Sequence, residues 1–274
     1  MEYIDMHTHT INSDGDLTPE QLVDYALQKK LAGIAITDHD TINGIDQAII
    51  YSKTIKNFLV IAGIELSTEL LDEEIHILGY YIDYKSDILK NTLKKIQCYR
   101  LNRVKKIVDR LSELGIFITY DEVLNVAGKG TVGRPHIAKF LVERGYVKSI
   151  NEAFTKYLNK GCVAYVPRYK LTVDKAINLI KNVGGLPVLA HPGLIVNQQM
   201  IAEVLKKGIE GIEVYHPEHS WQDKIKFLDI AQRHKLIVTA GSDFHGLSFA
   251  SNRHGDLGSE KISKEYIKSV YRGY

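Results

Sequence analysis

The sequence has little cysteine and no long apolar run, and each of these shortages excludes a class of protein. Only two cysteines, Cys98 and Cys162, occur in 274 residues. Neither belongs to a CxxC pair, so a disulfide framework or a thiolate zinc site is excluded. No stretch of about 18 apolar residues is present, which argues against a membrane partner. An apolar strand is predicted directly after Met1 and leaves no room for a signal peptide, so we expect a cytoplasmic protein.

A strong net charge is also missing, but the charges are unevenly distributed. The net charge is +2, which by itself indicates no nucleic-acid partner. Residues 85–160 hold 16 Lys and Arg against 7 Asp and Glu, a balance of +9, whereas the rest of the chain has a balance of −7. A basic segment of this kind raises the local concentration of an anionic substrate.

Histidine, in contrast, is frequent, with 11 residues. Several histidines lie at the ends of short apolar runs, close to carboxylates. Imidazole and carboxylate are ligands that suit Zn, Mn and Fe. A catalytic zinc ion typically takes three protein ligands, so the larger number of candidates predicts a multinuclear metal site and hydrolytic chemistry. The segments are Asp5–His9, Thr37–Asp40, Gly63–Glu65, Glu74–His76, Ala190–Pro192 and Ser242–His245.

Strand and helix signals alternate in the first 85 residues and again towards the C-terminus. Thr18 as N-cap, Pro19 and Gln21 predict a helix that starts with a capping box, and Gly33 is expected to close that helix. Apolar runs predict strands at residues 3–6, 34–37, 59–62, 75–80, 186–190, 211–215 and 236–240.

The pattern changes after Ser86, where helical spacing takes over. It predicts one long helix or a broken pair over residues 89–114, and further helices near residues 120–126, 134–143 and 150–158. A strand signal returns only at Cys162–Val166. We therefore expect a basic, helical, substrate-capping subdomain at residues 86–161, inserted into a metal-binding barrel formed by residues 1–85 and 162–274.

The candidate ligands follow the C-terminal ends of the predicted strands, where barrel enzymes collect their catalytic groups. An open doubly wound sheet would instead bind one ligand at a switch point, and no glycine-rich phosphate loop supports that fold. The sequence thus predicts an α/β fold, a distorted seven-stranded parallel (βα)7 barrel with a helical insertion. His7 and His9 are two residues apart, so on a strand both point into the barrel.

Together these segments resemble the polymerase and histidinol phosphatase (PHP) family. The resemblance rests on Asp5–His9 with Ser13–Gly15, Thr37–His39, Gly63–Glu65, His76, His191–Pro192 and Gly241–His245. It implies two to three divalent ions, Mn, Fe or Zn, in a trinuclear site. The implied ligands of the first ion are His7, His9, Glu65 and Asp243; Glu65, as a bridge, holds the second with His76 and His191; and the third is held by Asp14, His39 and His245.

Three further motifs, less specific than the metal ligands, are similar to those of a bacterial group within this family. That group removes phosphate from nucleoside 3′,5′-bisphosphates and trims 5′-monophosphorylated RNA. These motifs are Arg100–Arg103, Gly133–His136 and Gly211–His216. The resemblance implies a phosphoesterase acting through a metal-activated hydroxide on nucleotides or short RNA. Guanidinium groups fit phosphate oxygens bidentately, so Arg103 and Arg134 are the candidate phosphate clamp. The remaining candidates are His136 and His219 for substrate contact, Glu65 and His216 for catalysis, and Asp38 and Asp40 for orienting His39.

Three alternatives remain open at this point. A histidinol phosphate phosphatase would keep the chemistry and change the substrate, although the basic insert favours a more anionic one. A metal-dependent amidohydrolase would ordinarily show a metal-bridging lysine on a strand, and none is evident. A non-catalytic, metal-stabilised accessory module would show degenerate ligands, whereas the ligand positions here are intact.

Overall fold

The computed structural model describes residues 2–127, 132–167, 171–247 and 255–270, and the chain divides into two compact units. Unit 1 comprises Met1–Lys90 and Lys170–Tyr274, and unit 2 comprises Asn91–Tyr169. Helices in the described ranges are all too short or too polar to cross a membrane. The capping role expected for the inserted segment stays a prediction.

A nearly closed, barrel-shaped sheet forms unit 1. Its strands are β1 (Tyr3–Thr8), β2 (Gly33–Ile36), β3 (Leu59–Leu70), β4 (Glu73–Tyr80), β5 (Leu171–Thr172), β6 (Leu186–Leu189), β7 (Gly211–Tyr215), β8 (Ile237–Ala240) and β9 (Ile262–Ser263). Their hydrogen-bonded order is β8-β7-β6-β4-β3-β2-β1-β9, with β5 on β3. A bridge between Thr8 and Phe244 joins β1 to the segment after β8. The expected α/β barrel is thus confirmed.

The sheet is not all parallel, which corrects the sequence-based expectation. Strand β4 pairs antiparallel with both β3 and β6. The cause is a two-residue hairpin, in which Leu71 and Asp72 both have positive φ, +50° and +67°. Such a turn matches the twist of the flanking strands and reverses the chain at once, whereas a parallel pair needs a long crossover. As a result His76 lies in the first half of β4 and not at its C-terminal end.

Ten helices are found in the described residues, and the first has the predicted start. Thr18 accepts a hydrogen bond from the amide of Gln21, whose side chain in turn accepts one from the amide of Thr18. Gly33 does not close this helix, because the helix ends at Gln28 and Gly33 already begins β2. The helices are α1 (Pro19–Gln28), α2 (Ile45–Ser52), α3 (Asp87–Glu113), α4 (Tyr120–Ala127), α5 (Arg134–Glu143), α6 (Ile150–Ala153), α7 (Val173–Asn182), α8 (Gln199–Leu205), α9 (Trp221–His234) and α10 (Lys264–Val270).

Unit 2 is helical, as expected, with α3 as one unbroken helix and a π-helical turn at Phe154–Leu158 after α6. The strand predicted at Cys162–Val166 is wrong. The amide of Cys162 donates to Asn159 and that of Tyr165 donates to Cys162, so the segment is a series of turns. Its apolar pattern arises because Ala164 and Val166 are buried in the helical core of unit 2.

Candidate metal centre

The predicted metal ligands converge at one end of the barrel of unit 1. Strand β1 supplies His7 and leads directly into His9, and a bridge pairs His39, after β2, with Glu65 in β3. His191 follows β6, and Asp243 follows β8. The twist and tilt of the strands bring these side chains together although nearly the whole chain separates them in sequence.

Glu65 is the residue that five of the imidazoles approach. It is fully buried. Its Oε1 lies 2.8 Å from Nδ1 of His76 and 3.0 Å from Nε2 of His191. Its Oε2 lies 2.9 Å from Nδ1 of His39, and 3.4 Å from Nε2 of both His7 and His9. A carboxylate with imidazoles on both oxygens has the arrangement expected of a bridging ligand.

Asp243 and Asp14 complete the cluster on either side of His9. Oδ1 of Asp243 lies 3.2 Å from Nε2 of His7 and 3.1 Å from Nε2 of His9. Oδ1 of Asp14 lies 3.4 Å from Nε2 of His245. Three overlapping groups result, each with its ligand atoms within 4.8 Å of one another: His7, His9, Glu65 and Asp243; His39, Glu65 and His76; and His9, Asp14, His39 and His245.

Several of these buried atoms are close together but make no hydrogen bond. Buried polar atoms normally have a partner, so a cluster of exceptions needs an explanation. Atoms that point at a common centre, instead of at one another, are the arrangement that metal ligands require. The donor set, imidazole nitrogen and carboxylate oxygen, fits divalent transition metals. The atoms that have neighbours but no partner at a hydrogen-bonding angle include His7 Nε2, His9 Nε2, Asp14 Oδ1, His39 Nδ1 and Glu65 Oε2.

The pKa values of the histidines show that the carboxylates of this cluster favour positive charge beside them. Burial opposes protonation of His76, but the adjacent Glu65 carboxylate outweighs it and raises the pKa of His76 to about 10. Burial likewise opposes protonation of His245, and Asp14 and Asp243 raise its pKa to about 10. Burial and the neighbouring His245 lower the pKa of His9 to about 3. The carboxylates therefore hold protons on some imidazoles where cations could take their place.

Glu213, in β7, was missed by the sequence reasoning although it belongs to the site. It is fully buried, and its Oε1 lies 3.0 Å from Nδ1 of His7. Its Oε2 accepts a hydrogen bond of 2.8 Å from the backbone amide of His191. A carboxylate that is hydrogen-bonded to the second ring nitrogen of a metal-binding histidine fixes the orientation of the ring. The signal for it was present, because a lone carboxylate in the apolar run Gly211–Tyr215 must find a buried partner.

His216 lies beside the cluster, and its protonation pattern follows from its contacts. Nδ1 accepts a hydrogen bond of 3.2 Å from the amide of Glu218, so the proton of the neutral ring is on Nε2. Nε2 lies 3.5 Å from Oδ2 of Asp243. Burial opposes protonation, but Asp243 and Glu213 outweigh it and raise the pKa of His216.

His219, expected to contact substrate, has both ring nitrogens engaged by backbone groups. Nδ1 donates to the carbonyl of Val214 at 2.8 Å, and Nε2 accepts from the amide of Gly193 at 3.1 Å. Burial lowers the pKa of His219, consistent with a neutral ring. A hydrogen bond from this ring to a substrate would require one of these contacts to break, so we assign His219 to holding two loops together.

Asp38 does not orient His39, contrary to the expectation. Its carboxylate accepts hydrogen bonds of 2.7 Å from the amide and hydroxyl of Thr10 and one of 2.6 Å from the hydroxyl of Ser13. Asp38 thereby fixes the loop that carries Asp14. Oδ1 of Asp40 accepts a hydrogen bond from the amide of Ser67.

The other predicted substrate residues lie in unit 2 and have structural contacts there. Arg103 donates from Nε to the carbonyl of Val166 at 2.7 Å, and Arg134 donates to that of Leu158 at 3.1 Å. The Arg134 guanidinium also lies 5.4 Å from the ring centroid of Phe154. Nδ1 of His136 accepts from the amide of Gly133 at the start of α5.

Comparison with known proteins places the cluster in a family. Residues 5–160, more than half of the chain, match the family model of the PHP domain. The 5′-3′ exoribonuclease Rnm of Salmonella typhimurium is 36% identical over 252 residues, covering 88% of this chain and 84% of that protein. The 3′,5′-nucleoside bisphosphate phosphatase of Chromobacterium violaceum is 34% identical over 251 residues, covering 89% and 88%.

A solved structure supports the same relationship. The crystal structure described as a metal-dependent phosphoesterase of Bifidobacterium adolescentis is 31% identical and superposes with a TM-score of 0.86, covering 97% of this chain and 94% of that one. The expected enzyme class, a hydrolase acting on phosphoric ester bonds, is therefore confirmed. The fold, the histidine and carboxylate cluster and these relatives together show that the chain belongs to the PHP family.

Proposed function

We propose that this protein hydrolyses phosphate esters of nucleotides, with nucleoside 3′,5′-bisphosphates or 5′-monophosphorylated RNA ends as substrates. The observation that carries the proposal is one cluster of three overlapping ligand groups, two of which share the buried carboxylate of Glu65. Such a cluster suits two to three divalent ions, Mn, Fe or Zn. The ligands would be His7, His9, Asp14, His39, Glu65, His76, His191, Asp243 and His245.

The charge of the ligand set supports a phosphate substrate. Its carboxylates are Asp14, Glu65 and Asp243, so three dications would leave a formal excess of three positive charges. An excess of this kind attracts a phosphate dianion into a site that burial otherwise makes unfavourable for charge. When bound, divalent ions in such a site supply a water nucleophile near neutral pH and neutralise charge on the phosphoryl oxygens.

The residues of the chain have separable roles around the scissile ester. Glu213 holds His7, and Asp38 holds the loop of Asp14, so both positions are fixed before substrate arrives. His216 is the proposed general acid for the leaving oxygen, because its protonated Nε2 faces the cluster. A general acid contributes about 10²–10⁴-fold to the rate.

The substrate preference is supported by the names of the relatives and by the positive charge of residues 85–160. Arg103, Arg134 and His136 belong to this segment, and we propose that the arginines bind a second phosphate, one that is not cleaved. Charge-assisted hydrogen bonds from guanidinium to phosphate are among the stronger polar contacts in proteins. A nucleoside 3′,5′-bisphosphate carries a second phosphate of this kind.

A phosphate-release screen tests the proposal. Protein supplied with Mn²⁺ should be compared on nucleoside 3′,5′-bisphosphates, 5′-phosphorylated RNA oligomers and histidinol phosphate, with metal content measured in the same samples. We expect release from at least one nucleotide substrate and two to three equivalents of metal. If histidinol phosphate is hydrolysed faster than every nucleotide, the substrate assignment is wrong. If none of these esters is hydrolysed at full metal loading, the proposed activity is wrong.

A further inference from the structure

The loops that follow β6 and β7 pack into one rim beside the metal centre. The ring of His216 lies 5.6 Å from that of His191 and 5.2 Å from that of His219, measured between centroids. His219 is hydrogen-bonded to the amide of Gly193 on the neighbouring loop. A Cβ atom on Gly193 would lie only 2.5 Å from Cδ2 of His219, so the close approach requires glycine. The rim is therefore continuous with the cluster and held rigidly.

The only tryptophan of the chain, Trp221, lies two residues after His219, at the edge of this rim. Ser220 caps α9 by accepting a hydrogen bond from the amide of Asp223, which makes Trp221 the first residue of the helix. Two residues of chain span at most about 7 Å, so Trp221 stays close to His219. The side chain of Trp221 is 71% exposed, and that of Leu194, on the loop after β6, is 41% exposed.

The packing of α9 does not account for this exposure. The helix buries Phe227 and Ala231, and these residues fix it to the barrel. Trp221 is outside that buried face, so its ring contributes little to the fold. A tryptophan offers a large, flat apolar surface, and leaving it in water forfeits the free energy that burial of this surface would release. A ligand that covers the ring in the working protein would recover this free energy.

We propose that Trp221 is the platform on which the base of the nucleotide substrate stacks while the phosphate lies at the metal centre. This inference rests on the proposed function and names the base-binding subsite for it. A base is one sugar away from its phosphate, and Trp221 lies two residues after His219, whose ring is next to that of His216 beside the cluster. Every base has a π-face, and stacking on one aromatic residue therefore binds nucleotides without selecting one base.

The fluorescence of the protein provides a direct test, because all tryptophan emission comes from Trp221. The metal-loaded protein should be titrated with a nucleoside 5′-monophosphate and, separately, with ribose 5-phosphate, with excitation at the red edge of the tryptophan band. We expect saturable quenching by the nucleotide and none by the sugar phosphate. A nucleotide that inhibits turnover yet leaves the emission unchanged would overturn the inference.

The second arm measures kcat/KM on a nucleoside 3′,5′-bisphosphate and on ribose 5-phosphate. Base–aromatic stacking predicts that Trp221→Ala lowers kcat/KM for the nucleotide by about 5- to 150-fold and leaves the sugar phosphate unaffected. Trp221→Phe should restore most of the loss, since it keeps a ring. Ile225→Ala is the matched control, because Ile225 is 51% exposed one turn further along α9.

The outcomes separate this inference from the proposed function. Equal losses on both substrates, or a loss in Ile225→Ala matching that in Trp221→Ala, would overturn the stacking role. A change of oligomeric state in both variants, measured by size-exclusion chromatography with light scattering, would assign the exposed face of α9 to self-association instead. If the wild-type protein releases phosphate from no nucleotide and its emission is not quenched, both proposals are wrong. If a nucleotide quenches the emission but no phosphate is released, only the proposed activity is wrong.

Discussion

Glu65 carries its negative charge where five imidazoles meet, so its substitution should affect chemistry more than folding. In Glu65→Gln the shape is kept, but the charge that allows two cations to lie close together is lost. Changes to residues that only support ligands cost about 10–100-fold, and loss of a bridging ligand should cost more. We expect a loss of more than 100-fold in phosphate release, with an unchanged circular dichroism spectrum.

Glu69→Gln is the matched control for this prediction, because Glu69 lies on the same strand but outside the three ligand groups. It should keep wild-type activity. A Glu65→Gln protein that retains more than about a tenth of the activity would show that Glu65 is not a bridging ligand.

Glu213 should act through His7 and not on the substrate. In Glu213→Gln the amide can still contact Nδ1 of His7 but no longer makes the ring more basic, so metal binding should weaken by about 10–100-fold. Competition with a chromogenic chelator measures this affinity without reference to activity. Glu218→Gln is the control, since Glu218 is close by in sequence but exposed. An unchanged metal affinity in Glu213→Gln would assign the carboxylate to the fold alone.

At the level of elements, the insert between β4 and β5 should determine which phosphate ester is preferred. Arg134, the first residue of α5, is the most specific test of this role. Loss of one charge-assisted phosphate contact is worth about 1.5–3 kcal/mol, or about 10–150-fold in kcat/KM. We expect Arg134→Ala to show this loss on a nucleoside 3′,5′-bisphosphate and little change on an aryl phosphate, which lacks the second anion.

Arg134 also donates a hydrogen bond to the carbonyl of Leu158, so Arg134→Ala removes a contact within the fold as well. Thermal unfolding of the variant must therefore be measured alongside its kinetics. Arg144→Ala is the control: Arg144 follows the same helix and pairs with Glu122 at the surface. Equal losses on both substrates would mean that Arg134 serves the fold or the reacting phosphate.

Strand β4 shows why the direction of an element was harder to predict than its position. An apolar run looks the same whichever way it runs, and the sequence Leu71-Asp72 lacks the Asn-Gly or Asp-Gly signature of a tight hairpin. The position of Glu65 was predicted, but β3 continues past it to Leu70, and that continuation is what forms the hairpin. Direction was therefore set by a turn whose residues carry little sequence signal.

At the scale of the whole molecule, acid and base should affect the metal-free and metal-loaded proteins differently. Without metal, carboxylates raise the pKa values of His76 and His245 to about 10. Their ordinary value is about 6.5, so the stability they provide is complete below pH of about 6.5 and is lost as the pH rises through about 10. The pKa of His9 is lowered to about 3, so His9 makes the fold less stable at acid pH. This contribution no longer changes above pH of about 6.5.

We therefore expect the chelator-treated protein to have a lower Tm at pH 10 than at pH 7, in differential scanning calorimetry. Metal binds the deprotonated imidazoles, so the loaded protein should lose less stability over the same interval. The stabilisation by metal, measured as the difference between the two Tm values, should consequently increase with pH. A difference that stays constant would show that these histidines are not metal ligands.

Prediction from sequence worked where the signal was chemical and local, and worked less well where it depended on packing. The positions of the candidate ligands, the capping box of α1 and the helical insert could all be predicted, because unusual residue types or fixed spacings mark them. Glu213 was missed because its role depends on His7, which is remote in sequence. The two-residue strands β5 and β9 are too short to show any periodicity.

The bridge between Thr8 and Phe244 has a consequence for how the protein is made. His7 and His9 leave the ribosome more than two hundred residues before Asp243 and His245. A nascent chain that does not yet include Asp243 and His245 cannot assemble all three ligand groups. Completion of the centre is then a late event, after translation of the barrel, and a product truncated before Asp243 would carry an incomplete ligand set.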